Sequence, residues 1–467
     1  MVIITVTGIS CSIKGLYTLD EQRLVSKFTL QMPGSFYIRK NLPKHKQSYY
    51  TGDFSFVTPK LFLRGLLPEV ESCLQSMNVR YEVRGLEPTQ PFTRAPLLKG
   101  ELLPHQVPVV EKMLPSRDGI IHAATNAGKS YILAGFLQSY RQKTLILIHR
   151  TELKMQLLED LKELTNLKIG VISAGDQFKD GDVIVATVRS LSNRITKGGR
   201  EIKNLLAQIK CLCVDECHHI TAFEHQRCIL ACPNLDRIYG FSGTPFKDAS
   251  IYNKYEVTQY FGPVIARVTN QELSDSNVSA KADIFFVVYN TPSLPKNLSY
   301  QETYIKGVED CDSRNEKIIS IIKSFPDKKG LIICNTIMHG EELEFLCEQA
   351  GVANFAFING ASESKYRETA RQDFIKGKLK VLIATTIFDE GVNLKDMNYL
   401  ILAAGGKSAV RTLQRLGRGI RKKTDGSSLA LFDFVDNHHR YLKKHYIQRL
   451  ETYKDEGCFT INTIRLS

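Results

Sequence analysis

Ten short apolar runs of strand-forming residues constrain this chain more than anything else in it. In order they are GIIHAAT, TLILIH, DVIVAT, CLCVDE and RIYGFSGT, then GLIICN, FAFING, VLIATT, YLILAA and SLALFDF. A strand with one wet face alternates polar and apolar residues. These runs are apolar throughout, so both faces must be buried. Helical stretches lie between many of them, a rhythm that builds a mostly parallel sheet covered by helices. The runs fall in two clusters, before about residue 245 and after about residue 328. The fold class is therefore α/β, with two parallel-sheet domains in tandem.

Residues 1–95 have a different texture. VIITVTGI, KFTLQM and SFYIRK are predicted as short strands, LLPEVESCLQSMN as an amphipathic helix and RYEVRG as a closing strand. EPTQPFTRAP, with three prolines, reads as a linker. The predicted organisation is a small α+β unit over 1–95, a first α/β domain over 97–265, a connector over 266–305, a second α/β domain over 306–450 and a tail over 451–467.

Composition matters for the partner. Lysine and arginine number 62 against 49 acidic residues, a formal net charge of +13. That excess favours a polyanion, nucleic acid ahead of an anionic membrane; a soluble enzyme that is merely basic is the plainer alternative. No run reaches the ~18 apolar residues that cross a bilayer. The start, MVIITVTGISCSIKG, lacks the basic lead of a secretion signal. Eleven cysteines without a C-x-x-C pair suit free thiols in a reducing compartment, the cytoplasm by default.

Chemistry concentrates at three places. The first is ATNAGKS. Gly128, Lys129 and Ser130 follow the strand GIIHAA and precede SYILAGFLQSY, the strand–loop–helix setting of a phosphate loop. Small residues let backbone N–H groups approach an anion at a helix N-terminus; Lys129 would serve the outer phosphates and Ser130 a Mg²⁺ ion. Ala123 stands where the usual pattern has its first glycine. Asn126 replaces a second glycine, and asparagine tolerates positive φ. The second place is CLCVDECHH, which sets Asp215 and Glu216 at the carboxyl end of a strand, where α/β sheets bind ligands. Asp215 suits Mg²⁺ through water and Glu216 the attacking water; alone, the pair could equally be a solvated strand end. Cys211, Cys213, Cys217, His218 and His219 match no zinc spacing, and Cys211 and Cys213 read as small apolar residues. The third place is QRLGRGIR, with Arg415, Arg418 and Arg421 at i, i+3 and i+6. Phosphoryl transfer gains from such arginines. A solvated basic helix is the alternative, although Gly417 and Gly419 suit it poorly.

Taken in order, the motifs resemble those of the superfamily 2 helicases and translocases over about residues 97–435. LLPHQ is similar to the adenine-reading motif, ATNAGKS to motif I, IHRTELKMQ to motif Ia, and ATVRSL to the next strand-contacting motif. DECH resembles motif II, FSGTP motif III, LIICNT motif IV, FINGASESKYR the element after it, ATTIFDEGVN motif V and QRLGRGIR motif VI. The resemblance implies two RecA-like domains with ATP and Mg²⁺ in a cleft between them. It implies an adenine contact at Gln106, and a phosphate cradle from Thr125, Asn126, Ala127, Gly128, Lys129 and Ser130. Ser130 and Asp215 would hold the metal and Glu216 the water. His218 and Gln414 would link ATP to the strand-moving motifs, and Arg418 and Arg421 would stabilise the transferring phosphoryl group. Asp389 and Gly391 would lie near the ribose. Arg150, Thr187, Arg189, Thr336 and Thr385 would lie along the nucleic-acid backbone.

Within the superfamily, SGTP and DEGVNL resemble phage recombination and repair helicases of the UvsW type, as well as RecG- and RadD-like relatives. SYYTGDFSFVTPKLFLRGLLPEVESCL resembles the small basic DNA-binding domain ahead of the motor in phage members. The implied partner is DNA, forked, branched or single-stranded, with no membrane. The chain would act as a monomer in the cytoplasm, that of the host if phage-encoded. An RNA helicase, the motor of a restriction or repair nuclease, and an ATP-gated binding protein are the rivals. Tyr49, Tyr50, Phe54 and Phe56, near Lys44 and Lys46, could wedge at a fork, though the alternation of Phe54 and Phe56 fits core residues of a strand better.

Overall fold

All ten apolar runs are strands in the computed structural model, whose described residues are all but 44–50, 87–91, 124–126, 149–150, 173–178, 247, 249, 270–271, 273–281, 386–396, 407–427, 456–458 and 466–467. The chain divides into two compact units, one ending at Arg267 and the other running from Val268.

The first unit opens with β1 (Val2–Thr7), β2 (Ser10–Lys14), β3 (Thr29–Gln31), β4 (Asp53–Ser55), β5 (Phe62–Leu63) and β6 (Tyr81–Arg84). Four of these form a mixed sheet in the order β5-β2-β1-β6, and β3 pairs antiparallel with β4. Helices Thr18–Lys27 and Leu67–Ser76 cover it, with Leu24, Phe28, Val70 and Leu74 in its core. SFYIRK, predicted as a strand, is instead the helix Ser35–Asn41, entered through Gly34 at φ 76°. Its three contiguous large apolar residues, Phe36, Tyr37 and Ile38, do not alternate, so no strand face is specified.

The parallel sheet of this unit holds β7 (Asp118–Ala123), β8 (Thr144–Ile148), β9 (Ile169–Ile172), β10 (Val183–Thr187), β11 (Cys211–Asp215), β12 (Arg237–Ser242) and β13 (Val264–Val268), in the order β13-β7-β12-β11-β8-β10-β9. All residues of β8 and β10 are buried, as two covered faces require. The N-terminal sheet is built onto the amino ends of these strands. Arg64, 4% exposed, donates two hydrogen bonds to Asp118 at 2.8 and 2.6 Å, and others to the carbonyls of Gly8, Leu235 and Asp236. Burial opposes its charge, but Asp118 outweighs burial and raises the guanidinium pKa. Beside it, a side chain on Gly65 would run into the carbonyl of Thr258 in the helix Ile251–Phe261. Phe56 packs between Tyr252 and Tyr255 of that helix at ring distances of 5.1 and 5.6 Å. One apolar cluster thus runs through both parts.

The second unit is a seven-stranded sheet of β14 (Ala282–Val288), β15 (Gly330–Cys334), β16 (Phe355–Ile358), β17 (Val381–Thr385), β18 (Tyr399–Leu402), β19 (Leu429–Phe434) and β20 (Phe459–Arg465). The order is β16-β17-β15-β18-β19-β14-β20, and every pairing is parallel. The domain is larger than predicted. β14 comes from the stretch assigned to the connector and β20 from the assigned tail. At the carboxyl ends of β18 and β19 lies a fully buried ionic network. Arg449 meets Asp433 at 2.9 Å and Asp436 at 2.9 Å; Arg314 meets Asp436 at 3.2 Å. Tyr289 and Tyr453 donate to the same carboxylates, and the arginines donate to the carbonyls of Ala403 and Gly405. Charges this deep persist only when every partner is in place.

Among the described residues, no helix is long and apolar enough to cross a membrane, and no group of three or more His, Cys, Asp and Glu could hold a metal.

Candidate active site

The carboxyl ends of β7, β11 and β12 bring the predicted residues of the first unit together. β7 ends at Ala123, and after the loop Gly128 (φ 72°) opens the helix Lys129–Tyr140. No side chain caps that helix, and its N-terminus carries the positive end of the helix dipole, which suits an anion. A side chain on Gly128 would collide with Nε2 of Gln106. Gln106 is 2% exposed, and its Oε1 accepts from the N–H of Leu103 at 2.9 Å, so the structure holds it against the phosphate loop. Ala127 is buried.

Lys129 Nζ lies 3.4 Å from Asp215 Oδ1 and 3.6 Å from Glu216 Oε1. Both distances exceed a tight charge-assisted bond. The ammonium is shared by two half-buried carboxylates and remains able to turn to a phosphate. Glu216 sits at φ 51°, ψ 52°, a left-handed conformation unusual for a side chain of its size. The kink ends β11 and starts the turn Cys217–Thr221. Such strain collects at functional sites.

Two residues that the sequence did not single out complete the site. His218 Nδ1 lies 3.4 Å from Glu216 Oε2 and 3.0 Å from Ser242 Oγ. Ser242, fully buried, accepts in turn from the N–H of Thr244 at 3.0 Å. His122 Nε2 lies 2.9 Å from the carbonyl of Gly243. Burial, assisted by Arg267 and Lys129, holds His122 below the ordinary imidazole range, so the ring is neutral at pH 7. The turn after β12 is thereby tied both to the acidic pair and to the strand that carries the loop. A histidine inside the otherwise apolar GIIHAA was the available signal for His122. The cysteines of β11 are buried, and burial pushes the thiols of Cys213 and Cys217 up, which leaves them protonated.

The expected nucleic-acid contacts fall in both units. Arg189 is exposed. Thr187 caps the helix Val188–Lys197, accepting from the N–H of Ser190 at 3.2 Å and donating to Ser190 Oγ at 2.8 Å. In the second unit Thr336 caps the helix Ile337–Gln349 through the N–H of His339 and donates to Glu309 Oε1 at 2.6 Å. Each threonine hydroxyl is thus committed, and each stabilises a helix N-terminus at a strand's carboxyl end. Thr385 is buried at the end of β17. Thr125, Asn126, Arg150, Asp389, Gly391, Gln414, Arg418 and Arg421 lie outside the described residues, as do Lys44, Lys46, Tyr49 and Tyr50. Phe56 is core, whereas Phe54 is 42% exposed.

Comparison with known proteins agrees with this arrangement. Residues 99–247 match the family described as Type III restriction enzyme, res subunit, and residues 313–423 match the helicase conserved C-terminal domain. The ATP-dependent DNA helicase uvsW of Enterobacteria phage T4 is 26% identical over 400 residues, covering 78% of this chain and 77% of that protein. Putative helicase 22 of a Sulfolobus islandicus filamentous virus is 23% identical and covers 96% of this chain and 86% of its own length. Among solved structures, S. cerevisiae Dbp5 bound to RNA and ADP BeF3 is similar over 78% of this chain and 94% of that one, at 18% identity and a TM-score of 0.52, a likeness of fold. With both helicase domains matched and a phosphate loop facing an acidic pair in the first, the chain belongs to the superfamily 2 helicases and hydrolyses ATP.

Proposed function

We propose that this helicase works on DNA, unwinding or branch-migrating forked and junction substrates in recombination, replication or repair. The observation that carries the reading is the similarity to a DNA helicase across most of both chains. The N-terminal unit built onto the motor supports it, since residues 1–95 carry more Lys and Arg than Asp and Glu. Backbone contacts through charge and helix ends make binding indifferent to sequence and sensitive to structure.

In the reaction, Lys129 turns from the two carboxylates to the outer phosphates of ATP. The positive N-terminal end of the helix Lys129–Tyr140 draws those phosphates in. Glu216, pinned by its backbone, orients the attacking water and accepts its proton. His218 relays the position of Glu216 to Ser242 and so to the turn after β12. Ser130, the hydroxyl residue next to Lys129 in sequence, and Asp215, whose carboxylate lies 3.4 Å from the Lys129 ammonium, would hold a Mg²⁺ ion, which would neutralise phosphate charge. Gln106, held against the loop, would contact the adenine. Arg418 and Arg421 offset charge on the transferring group, and Gln414, Asp389 and Gly391 support the nucleotide.

A strand-displacement assay on forks, four-way junctions and RNA duplexes, with and without ATP, tests this. Forks and junctions should be opened only with ATP, and Lys129→Ala should abolish opening. Preference for RNA duplexes would replace the DNA reading. A Lys129→Ala protein hydrolysing ATP at the wild-type rate would overturn the site.

A further inference from the structure

The helix Ser35–Asn41 turns two aromatic rings to solvent. Phe36 is 71% and Tyr37 72% exposed, with ring centroids 5.8 Å apart edge to face. Ile38 beside them is 46% exposed. The helix stands on an excursion from the β3–β4 pair, closed at its base by the N–H of Met32 donating to the carbonyl of Gly52 at 2.8 Å. Two large neighbouring rings left in water on so short a helix suit a surface made to be covered. Charge says by what. From Gln22 to Gly52 the chain has six lysines and arginines and no aspartate or glutamate, and Arg39 and Lys40 come just after Ile38 on the same helix.

We propose that Phe36 and Tyr37 form a stacking platform for unpaired bases, with Arg39 and Lys40 holding the adjoining phosphates. Every base presents a π-face, so aromatic stacking beside cations grips single strands without reading sequence. A continuous duplex hides those faces; a fork or junction exposes them. The platform also has a fixed mount. Arg64, Gly65 and Phe56 fasten the N-terminal sheet to the first motor domain, so the platform travels with that domain. This deepens the DNA reading above and rests on it.

The chain has no tryptophan, so Tyr37→Trp in the full-length protein gives a single indole reporter on the platform. Single-stranded and forked DNA should quench its emission, and blunt duplex should do so far less. Phe36→Ala with Tyr37→Ala should weaken fork binding by about tenfold or more. Both residues are exposed, so the melting temperature of that double variant should match wild type. The platform is wrong if DNA stimulates ATP hydrolysis yet leaves the indole unchanged. It is equally wrong if emission responds only to protein concentration, which marks a second copy as the occupant, or only to anionic vesicles. Failure of any nucleic acid to stimulate ATP hydrolysis would remove the DNA reading and the platform together.

Discussion

Glu216 shows how one residue can be fixed by backbone as well as by partners. Its left-handed φ is held against intrinsic preference, and its carboxylate is bracketed by Lys129 and His218. Glu216→Gln preserves shape and removes the base, so ATP turnover should fall about 10²- to 10⁴-fold with nucleotide affinity nearly unchanged, read by steady-state hydrolysis and equilibrium binding. Gly128→Ala meets both a positive φ and the Gln106 amide. ATP binding should be lost, and a variant that binds a fluorescent nucleotide normally would show that the loop is not the cradle. That Lys129 meets Asp215 and Glu216 was legible because each motif is local: strand, small loop, helix, or strand then acids. Ser242 and His122 were not, since their partners lie 24 and 121 residues away in sequence. No local pattern records such pairings.

Elements were legible where burial was complete. The ten runs chosen for unbroken apolarity are all strands. Of the four further strands in the two parallel sheets, Ile169–Ile172, Val264–Val268 and Phe459–Arg465 are sheet edges, whose half-wet composition resembles that of loops, and Ala282–Val288 is an inner strand whose polar flanks read as a connector. The helix Ile337–Gln349 shows what an element's start can require. Glu309 accepts from Thr336; the amide of Asn315 donates to the carbonyl of Glu309 at 2.8 Å, which leaves its Oδ1 to accept from His339 Nε2 at 3.1 Å. Glu309 ends a single π-helical turn, Ile305–Glu309, that lets this ring close. Burial, with Arg314 adding to it, pushes His339 down to about 3 from 6.5. The unfolded chain therefore takes up that proton first as pH falls. The stability from neutral His339 is whole above about pH 6.5 and is lost progressively toward pH 3. Wild type should lose melting temperature over this window more steeply than His339→Gln. Equal slopes would show that other groups govern the acid limb.

For the molecule as a whole, the Arg64–Asp118 pair decides whether the N-terminal sheet is a tethered module or part of the motor. Arg64→Ala leaves Asp118 buried and unpaired and should cost about 3–5 kcal/mol by chemical denaturation, with the N-terminal sheet freed to proteolysis. Arg64→Leu with Asp118→Leu should recover most of that. The net charge of +13 predicts that DNA affinity falls linearly with salt on logarithmic axes, measurable by anisotropy.

The position of β14 also sets an order on synthesis. Ala282–Val288 precedes every other strand of its sheet in sequence, yet its two neighbours are Leu429–Phe434 and Phe459–Arg465. While the ribosome adds the intervening residues, this segment, ADIFFVV, has neither edge paired and is a site for wrong association. Removing residues 456–467 should leave that edge permanently open and give a protein that aggregates during expression although both nucleotide-site carboxylates are present.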